Sequence, residues 1–330
     1  MSTPVALVTG FLGAGKTTLL NRLLKHPDLA QTAVLINEFG DVGLDHLLVE
    51  TLDDTTMLLA AGCLCCTIRG DLHKALMDLA ARMDAGTPIR RVVIETTGLA
   101  DPAPILHTLM SDAVLLRQYR LDGVVTLVDA TNAMTTLDNH PEALKQAAVA
   151  DRLVLTKTDL VPDTAALRAR LAQLNPHAPI LGADAEPAAL LDLGPYQLDA
   201  KLPDVARWLG HEAGHSHHHH HHHDRNRHDA HIHSFSLRYE APLTLDAVAS
   251  FLQMLVTTRG DALLRVKAIL NIRGEDRPTV LHGVQHIFHP PIRLAAWPEG
   301  DDRSSRFVFI VKDLTRETVE RGLSAFIEAQ

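Results

Sequence analysis

The chain contains 330 residues, of which 46% are apolar and 22% are charged, and its mean hydropathy is +0.03. This composition is typical of a folded globular protein and argues against an intrinsically disordered chain or an integral membrane protein. The formal net charge of -9 argues against a nucleic-acid partner, because the chain as a whole repels a polyphosphate backbone. The length is sufficient for two domains with a sizeable core.

The first two hundred residues alternate short, β-branched apolar runs with longer helical patterns. This alternation predicts an α/β doubly wound domain with a mostly parallel sheet. The predicted strands are Val5–Thr9, Thr32–Asn37, Arg91–Glu95, Asp122–Asp129 and Arg152–Thr156. The predicted helices are Lys16–Lys25, Asp71–Met83, Pro141–Ala150 and Thr164–Leu174.

Between the first predicted strand and helix, the sequence GFLGAGKT matches the phosphate-binding pattern GxxxxGK[ST]. Backbone N–H groups at the start of a helix suit an anionic phosphate, and the helix dipole adds to the attraction. We expect Lys16 to bridge the β- and γ-phosphates of a nucleotide and the Thr17 hydroxyl to bind Mg²⁺. The residues expected around the phosphates are Gly10, Gly13, Ala14, Gly15, Lys16, Thr17 and Thr18.

An acidic segment, NEFGDVG, follows the second predicted strand, where nucleotide switches of P-loop GTPases lie. Its Glu38 and Asp41 supply oxygen ligands. We predict that the γ-phosphate and Mg²⁺ order this segment, and that hydrolysis removes Glu38 from any metal ion it shares with other residues. A turn without any ligand is the alternative.

All three cysteines fall within four positions, as Cys63, Cys65 and Cys66. Three local thiols cannot form a disulfide framework, so a reducing, cytoplasmic compartment fits them better. The start of the chain has neither a basic region nor a cleavage site of a secretory signal, which agrees with a cytoplasmic location. Thiolates this close repel one another unless a cation neutralises them, which predicts a Zn²⁺ site with one open position. A buried apolar cluster and a redox-active thiol pair are the alternatives.

A strand-end acid and a glycine follow in the sequence RRVVIETTG. Glu95 ends the predicted strand where a Walker B acid belongs, and Gly98 lies where a phosphate-sensing glycine belongs. We expect Glu95 to organise Mg²⁺ or the attacking water and to act in catalysis with Lys16 and Thr17. A solvated residue at the rim of the sheet is the alternative reading of Glu95.

The next strand ends in TKTD, at Thr156 to Asp159. The Asp159 carboxylate can accept two hydrogen bonds from guanine, which adenine cannot donate, while the stem of Lys157 covers the ring. GTP and GDP are therefore favoured over adenine nucleotides. Thr156 replaces the asparagine that is usual at the first position of this motif, so we expect one polar contact to be weaker.

The composition changes between His211 and His233, where twelve of the residues are histidine and almost none is apolar. This segment predicts a flexible linker, since it cannot form a packed core. The seven consecutive histidines from His217 to His223 can bind Zn, Ni, Cu or Co ions with high capacity and poor selectivity. We expect a loading or buffering role, with an incidental linker composition as the alternative.

A second, smaller α+β domain with an antiparallel sheet is predicted after the linker. Its predicted strands are Ser234–Arg238, Ala268–Arg273, Thr279–His286 and Phe307–Lys312. Its predicted helices are Leu245–Thr257 and Arg316–Ala329. The predicted division is a P-loop domain over residues 1–205, the linker over 206–233 and the second domain over 234–330.

These segments together resemble the CobW/YjiA-type metallochaperone GTPases, which are related to the urease and hydrogenase accessory GTPases. The resemblance is carried by GFLGAGKTTLLN, INEFG, GCLCC, VVIETTGLADP, LDGVVTLVDA, RLVLTKTD, LHGVQHIF and FVFIVKDL, in that order. It implies GTP hydrolysis, binding of Zn²⁺ or Co²⁺ by the three cysteines, and delivery of the metal to a client protein. Some relatives carry a glutamate just before the switch asparagine, where this chain has Ile36, so the resemblance does not imply a secondary metal site that uses such an acid.

Two other functions stay open on the sequence. One is a metal buffer or sensor with incidental GTPase activity, and the other is a regulatory GTPase without a role in metal delivery. The residues do not separate zinc from cobalt, since both ions accept this ligand set. They do not identify the client either, or decide whether the protein forms a homo-oligomer.

Overall fold

A computed structural model of the protein describes residues 2–37, 51–53, 56–61, 68–191, 232–297 and 300–329. These residues form two sheets, the first before residue 192 and the second after residue 231. The predicted switch residues Glu38 and Asp41, the three cysteines and the histidine tract lie outside the described residues. Within them, no helix combines the length and the apolar character needed to cross a membrane.

The first sheet has eight strands in the order β3-β4-β2-β5-β1-β6-β7-β8. The strands are β1 (Thr3–Gly10), β2 (Thr32–Asn37), β3 (Thr51–Asp53), β4 (Thr56–Ala61), β5 (Arg91–Glu95), β6 (Tyr119–Asp129), β7 (Arg152–Thr156) and β8 (Ile180–Gly182). Neighbouring strands pair in parallel, except that β3 runs antiparallel to β4 at one edge. The predicted mostly parallel sheet is thus confirmed.

Helices cover both faces of this sheet, as the alternation of buried residues along β1 demonstrates. Val5 and Leu7 pack in one apolar cluster with α2 and α3, whereas Ala6 and Val8 pack in another with α1 and α8. Because successive strand residues point to opposite faces, a fully buried strand needs a helical layer on each side. The helices are α1 (Lys16–Leu23), α2 (Ile68–Asp84), α3 (Ala103–Ser111), α4 (Leu115–Gln118), α5 (Ala133–Asn139), α6 (Pro141–Ala148), α7 (Ala165–Leu174) and α8 (Pro187–Leu191).

The second sheet is antiparallel and has the order β12-β11-β10-β14-β9, with the short β13 also paired to β11. Its strands are β9 (Ile232–Tyr239), β10 (Leu263–Leu270), β11 (Thr279–Val284), β12 (Ile287–Phe288), β13 (Ile292–Arg293) and β14 (Ser305–Lys312). Two helices, α9 (Leu245–Arg259) and α10 (Arg316–Glu328), pack on one face through a shared apolar cluster. The predicted α+β architecture is confirmed.

Several predicted boundaries were wrong. The second predicted strand of the second domain, Ala268–Arg273, is in fact β10 at Leu263–Leu270. The strand predicted to end at His286 ends at Val284, because Gln285 adopts a positive φ of 51° in the turn to β12. The helices predicted to end at Lys25 and Ala150 end two residues earlier.

The other face of the second sheet packs on the first domain. Arg265 and Lys267 of β10 reach the Asp151 carboxylate at the start of β7, and both distances are 2.6 Å. On α3, the His107 ring lies 3.0 Å from the carbonyl oxygen of Val284 on β11. The two domains are therefore joined by buried polar contacts as well as apolar packing.

Candidate nucleotide site

The predicted nucleotide residues meet at the carboxyl ends of neighbouring parallel strands. In the central order β5-β1-β6-β7, Glu95 ends β5, Gly10 ends β1 and Thr156 ends β7. The register pairs Val8 with Glu95 and Gly10 with Leu127, so these ends lie at one edge of the sheet. This is the edge at which open α/β sheets bind their ligands.

The phosphate-binding loop lies tightly against β6. Gly10 has a φ of +144°, and a Cβ atom added there would lie 2.5 Å from the carbonyl oxygen of Leu127. Only glycine allows this approach. The loop leads into α1 through Gly15, which has a φ of 85° and no side chain to cap the helix. The N–H groups of the first helical turn therefore point toward a space that suits an anion.

Lys16 is held inside this loop. Its Nζ donates to the carbonyl oxygens of Gly10 at 2.9 Å and Phe11 at 3.3 Å, and its side chain is buried. Burial lowers the pKa of Lys16, while the nearby Glu95 carboxylate acts in the opposite direction. The ammonium group is thus fixed at the centre of the loop, as a phosphate-binding lysine requires.

Thr17 and Glu95 face each other across the start of α1. The Thr17 hydroxyl donates to Glu95 Oε1 at 2.9 Å, and Glu95 is buried. Two adjacent oxygen ligands, one of them a carboxylate, suit a hard divalent cation such as Mg²⁺. The two residues predicted to share Mg²⁺ are therefore in contact.

The segment after β5 lies against the phosphate-binding loop. The Thr96 hydroxyl donates to the Thr9 hydroxyl at 2.7 Å. A Cβ atom added at Gly98 would lie 2.6 Å from the backbone nitrogen of Leu12. Gly98 is thus beside the loop, and a side chain there would push the two segments apart.

The base-recognition motif contacts the phosphate loop through Thr156. The Thr156 hydroxyl donates to the carbonyl oxygen of Ala14 at 2.9 Å, and the expectation that threonine weakens one polar contact stays a prediction. Lys157 has a φ of 55° and its Nζ lies 2.6 Å from Asp129 Oδ2. Burial raises the pKa of Asp129, but the hydrogen bonds from Lys157 and Thr131 lower it to below its usual value. Asp159 is exposed.

The predicted zinc ligands Glu38, Cys63, Cys65 and Cys66 fall outside the described residues. The strands that precede them are described. Asn37 pairs with Ala61, the last residue of β4, and Ile36 pairs with Glu95. β2 and β4, the strands before the two predicted metal segments, therefore end at the edge of the sheet where Glu95 lies. The residues that the structure does describe contain no group of three or more histidine, cysteine, aspartate or glutamate side chains placed to hold a metal ion.

Two residues of α6 that the sequence analysis missed hold the loop after β5. Gln146 Nε2 donates to the carbonyl oxygens of Gly98 at 3.1 Å and Ala100 at 3.0 Å. Lys145 Nζ lies 2.9 Å from Asp101 Oδ2. The available signal was Gln146 itself, a polar residue among the apolar positions of an amphipathic helix.

Comparisons with known proteins match both parts of the chain. The family described as CobW/HypB/UreG, nucleotide-binding domain, matches residues 4–182. The family described as cobalamin synthesis protein cobW C-terminal domain matches residues 232–327. The first match includes the phosphate-binding loop, the cysteine segment and the TKTD motif.

One group of similar proteins covers nearly the whole chain. The zinc chaperone YjiA of Escherichia coli strain K12 is 34% identical over 327 residues, which is 97% of each chain. The crystal structure of Zn(II)-bound YjiA GTPase from E. coli matches with a TM-score of 0.71 and 30% identity over 99% of each chain. A Zn(II)-bound YjiA triple mutant, in which one glutamate and two cysteines are replaced by alanine, matches to the same extent. The similarity therefore extends through both domains.

Proposed function

Because the chain belongs to the CobW/HypB/UreG family of nucleotide-binding proteins and carries the CobW C-terminal domain, we propose that it is a GTP-hydrolysing zinc chaperone. The observation that carries the hydrolytic part is the contact of Thr17 with Glu95, at 2.9 Å, beside the buried Lys16. A phosphate-binding lysine next to a pair of Mg²⁺ ligands is the arrangement that phosphoryl transfer to water needs.

Each residue of this site has a distinct role in hydrolysis. Lys16 binds the β- and γ-phosphate oxygens, and the N–H groups at the start of α1 bind phosphate oxygens beside it. Thr17 and Glu95 hold Mg²⁺, which when bound supplies positive charge to the phosphates. The backbone of Gly98 contacts the γ-phosphate. Burial of Lys16 and Glu95 strengthens their electrostatic effect, since the local dielectric constant is low.

The nucleotide is GTP because of the TKTD motif. Asp159 accepts hydrogen bonds from N1–H and the exocyclic amine of guanine, and Lys157 lies along the ring. Thr156 supports the site indirectly, through its bond to the Ala14 carbonyl. GDP is the product that stays in the site.

The metal cargo is zinc, bound by Cys63, Cys65 and Cys66 with Glu38 as a switch-dependent ligand. The support for this assignment is the chemistry of the thiolates, the names of the relatives, and the pairing of Asn37 with Ala61 next to Glu95. Co²⁺ accepts the same ligands. The protein delivers the metal to a client protein that docks on the C-terminal domain, in the cytoplasm, and the histidine tract loads the cysteine site.

Zinc titration in two nucleotide states tests this proposal. The tract itself binds zinc, so a variant with His217–His223 replaced by serine is used. Zinc is titrated into this variant loaded with GDP, and again with a non-hydrolysable GTP analogue. We expect the zinc affinity to differ about tenfold or more between the two states, since the loss of one ligand changes the binding free energy by roughly 1.4 kcal/mol or more.

A second variant identifies the zinc ligands. Replacement of the three cysteines by serine in the same tract-free protein is expected to remove the nucleotide-dependent binding. Zinc also binds a YjiA mutant that lacks one glutamate and two cysteines, so residual binding alone does not count against the proposal. Equal affinities in the two nucleotide states before the cysteines are replaced would instead favour a metal buffer.

Turnover provides the third readout. We expect the protein to hydrolyse GTP slowly, and we expect zinc or the client protein to accelerate this hydrolysis. Unchanged GTP hydrolysis and unchanged nucleotide affinity on replacing all three cysteines, with and without zinc, would favour a regulatory GTPase.

A further inference from the structure

We infer that Gln146 is a positioning residue for GTP hydrolysis, which holds the loop of residues 96–101 against the phosphate-binding loop. Its side chain is 1% exposed. Its Nε2 donates to two backbone carbonyls of the loop, those of Gly98 at 3.1 Å and Ala100 at 3.0 Å. This inference rests on the proposed role of Gly98 at the γ-phosphate.

Hydrogen bonds hold the backbone on both sides of Gly98. Upstream, the Thr96 hydroxyl bonds to Thr9, and the backbone nitrogen of Thr96 bonds to the carbonyl oxygen of Val8. Downstream, Gln146 holds the Gly98 carbonyl. Because a peptide group is planar, this bond fixes the peptide group that joins Gly98 to Leu99. Gly98 therefore lies between two bonded backbone positions, directly beside Leu12 of the phosphate-binding loop.

The helix that carries Gln146 is itself anchored to the sheet. The Thr126 hydroxyl of β6 donates to the Gln146 backbone carbonyl at 2.7 Å. The buried Asn175 side chain donates to the carbonyl oxygens of Ala147, Ala148 and Ala150, at distances of 3.0, 3.1 and 2.9 Å. Gln146 thus connects the loop to a helix that is itself bonded to the sheet.

The neighbouring Lys145–Asp101 ion pair also links α6 to the loop, but it is weaker. Both side chains are about one third exposed, and exposed ion pairs contribute little because water screens them. Gln146 also lines a cavity of about 360 Å³ together with Phe11 and Leu12. Gln146 therefore lies between the phosphate-binding loop and the loop of residues 96–101. The relative position of these two loops decides how the γ-phosphate is held.

The consequence is specific to the triphosphate state. Gly98 contacts the γ-phosphate in the proposed site, whereas GDP lacks that group. Loss of the Gln146 hydrogen bonds lets the loop move, which weakens contacts to the γ-phosphate and its transition state but leaves the contacts to GDP in place.

The test replaces Gln146 by methionine, which has a similar length but no donor. We expect kcat to fall about 10- to 100-fold, as expected for two hydrogen bonds to backbone carbonyls. The affinity for a non-hydrolysable GTP analogue should fall, while the affinity for GDP should change less than about twofold. If the methionine variant does not fold, Gln146→Asn replaces it, because the shorter amide cannot reach both carbonyls.

Asn175→Leu is the matched control. Asn175 is also a buried amide, 1% exposed, that bonds to backbone carbonyls of α6 and the residues after it, but it does not touch the loop. We expect Asn175→Leu to destabilise the protein and to lower kcat much less than Gln146→Met does, because it removes no bond to the loop. Equal losses of kcat in the two variants, or a parallel fall of GDP and GTP-analogue affinity in Gln146→Met, would overturn the inference.

Gly98→Ala separates this inference from the proposed function. The added Cβ pushes against Leu12, so kcat should fall if the loop contacts the γ-phosphate. An unchanged kcat in Gly98→Ala would reject the proposed role of the loop. A reduced kcat in Gly98→Ala with an unchanged kcat in Gln146→Met would reject only the role of Gln146.

Discussion

Thr156 joins two parts of the nucleotide site that are far apart in sequence. Its hydroxyl, buried behind the phosphate-binding loop, donates to the Ala14 carbonyl 142 residues away. The methyl group of the same side chain lies 3.8 Å from where a Cβ atom of Gly15 would be. A branched hydroxyl side chain therefore fills the space and satisfies the carbonyl. The structure thus gives Thr156, in place of the usual asparagine, a bond to the phosphate-binding loop.

Asp159 is the residue that decides the base in our proposal, so its replacement should change the preferred nucleotide. An asparagine side chain cannot accept both guanine hydrogen bonds, but its amide can donate to the 2-carbonyl group of xanthine. For Asp159→Asn we expect the GTP affinity to fall about 10- to 150-fold, which corresponds to hydrogen bonds to a charged group. The affinity for xanthosine triphosphate should rise.

Competition of each nucleotide with a fluorescent GDP analogue measures this change. The control is Asp163→Asn, since Asp163 is an exposed acid beyond the motif that bonds to the backbone nitrogen of Ala165. An equal fall for both triphosphates in Asp159→Asn would contradict the base contact.

At the scale of elements, the central strands were predictable and the edges were not. β2, β5 and β7 have the bounds that their β-branched apolar runs predicted. The sequence analysis missed β3 and β8 near the edges of the sheet, because three residues carry too little periodic signal, and it also missed β4. The predicted order of strand, phosphate-binding loop, helix and strand is confirmed, and the long GxxxxGK[ST] motif is what specified it.

β10 contains buried charged residues that the local sequence alone does not identify as buried. Its first half, LLRVK, contains two cations, which a reading of local hydropathy assigns to solvent. The structure buries both Arg265 and Lys267, because Asp151 of the other domain neutralises them. Gln146 was missed for the same reason, since its partners Gly98 and Ala100 are more than 40 residues away. Polar contacts between residues far apart in sequence are thus the part of the structure that local sequence patterns do not predict.

The start of α3 depends on Asp101, which has two functions. Its Oδ1 accepts from the backbone nitrogen of Ala103 at 3.0 Å, and its Oδ2 pairs with Lys145. Asp101→Asn keeps the acceptor and removes the charge, so we expect a loss of at most about 1 kcal/mol of unfolding free energy. Asp101→Ala removes both, and should cost about 1 kcal/mol more, since the helix start loses its acceptor.

Urea unfolding of the two variants separates these contributions. The difference between the alanine and asparagine variants measures the contact to Ala103, and the loss in the asparagine variant measures the ion pair. Equal stabilities of the two variants would contradict a contribution from the backbone contact.

At the scale of the whole molecule, the two domains share one buried charge cluster. Asp151 accepts from Arg265 and Lys267 of the second domain and, at 2.9 Å, from the backbone nitrogen of Val124 in its own domain. Arg265 also donates to the Val149 carbonyl just after α6. Burial lowers the pKa of Lys267 to about 8, against the attraction of Asp151. Since α6 also holds the loop at Gly98, one helix contacts both the nucleotide site and the C-terminal domain.

Asp151→Asn should therefore strongly weaken the contact between the two domains. The variant keeps the shape but leaves two buried cations without their carboxylate, which we expect to cost about 3–5 kcal/mol of unfolding free energy at pH 7. The matched control is Asp302→Asn, which breaks the exposed pair with Arg238 and should cost at most about 1 kcal/mol. Urea unfolding measures both, and equal losses would contradict a special role of the buried cluster.

The pH dependence of this difference follows from the pKa of Asp151. Burial alone raises it, but Arg265 and Lys267 lower it more, so it lies well below the usual 3.8 in the folded protein. As the pH falls below 3.8, the unfolded chain takes up a proton at Asp151 that the folded protein does not, and the wild type loses stability. The asparagine variant has no such group. The stability difference between wild type and Asp151→Asn should therefore narrow as the pH falls below 3.8, and a difference that widens there would contradict the ionised carboxylate.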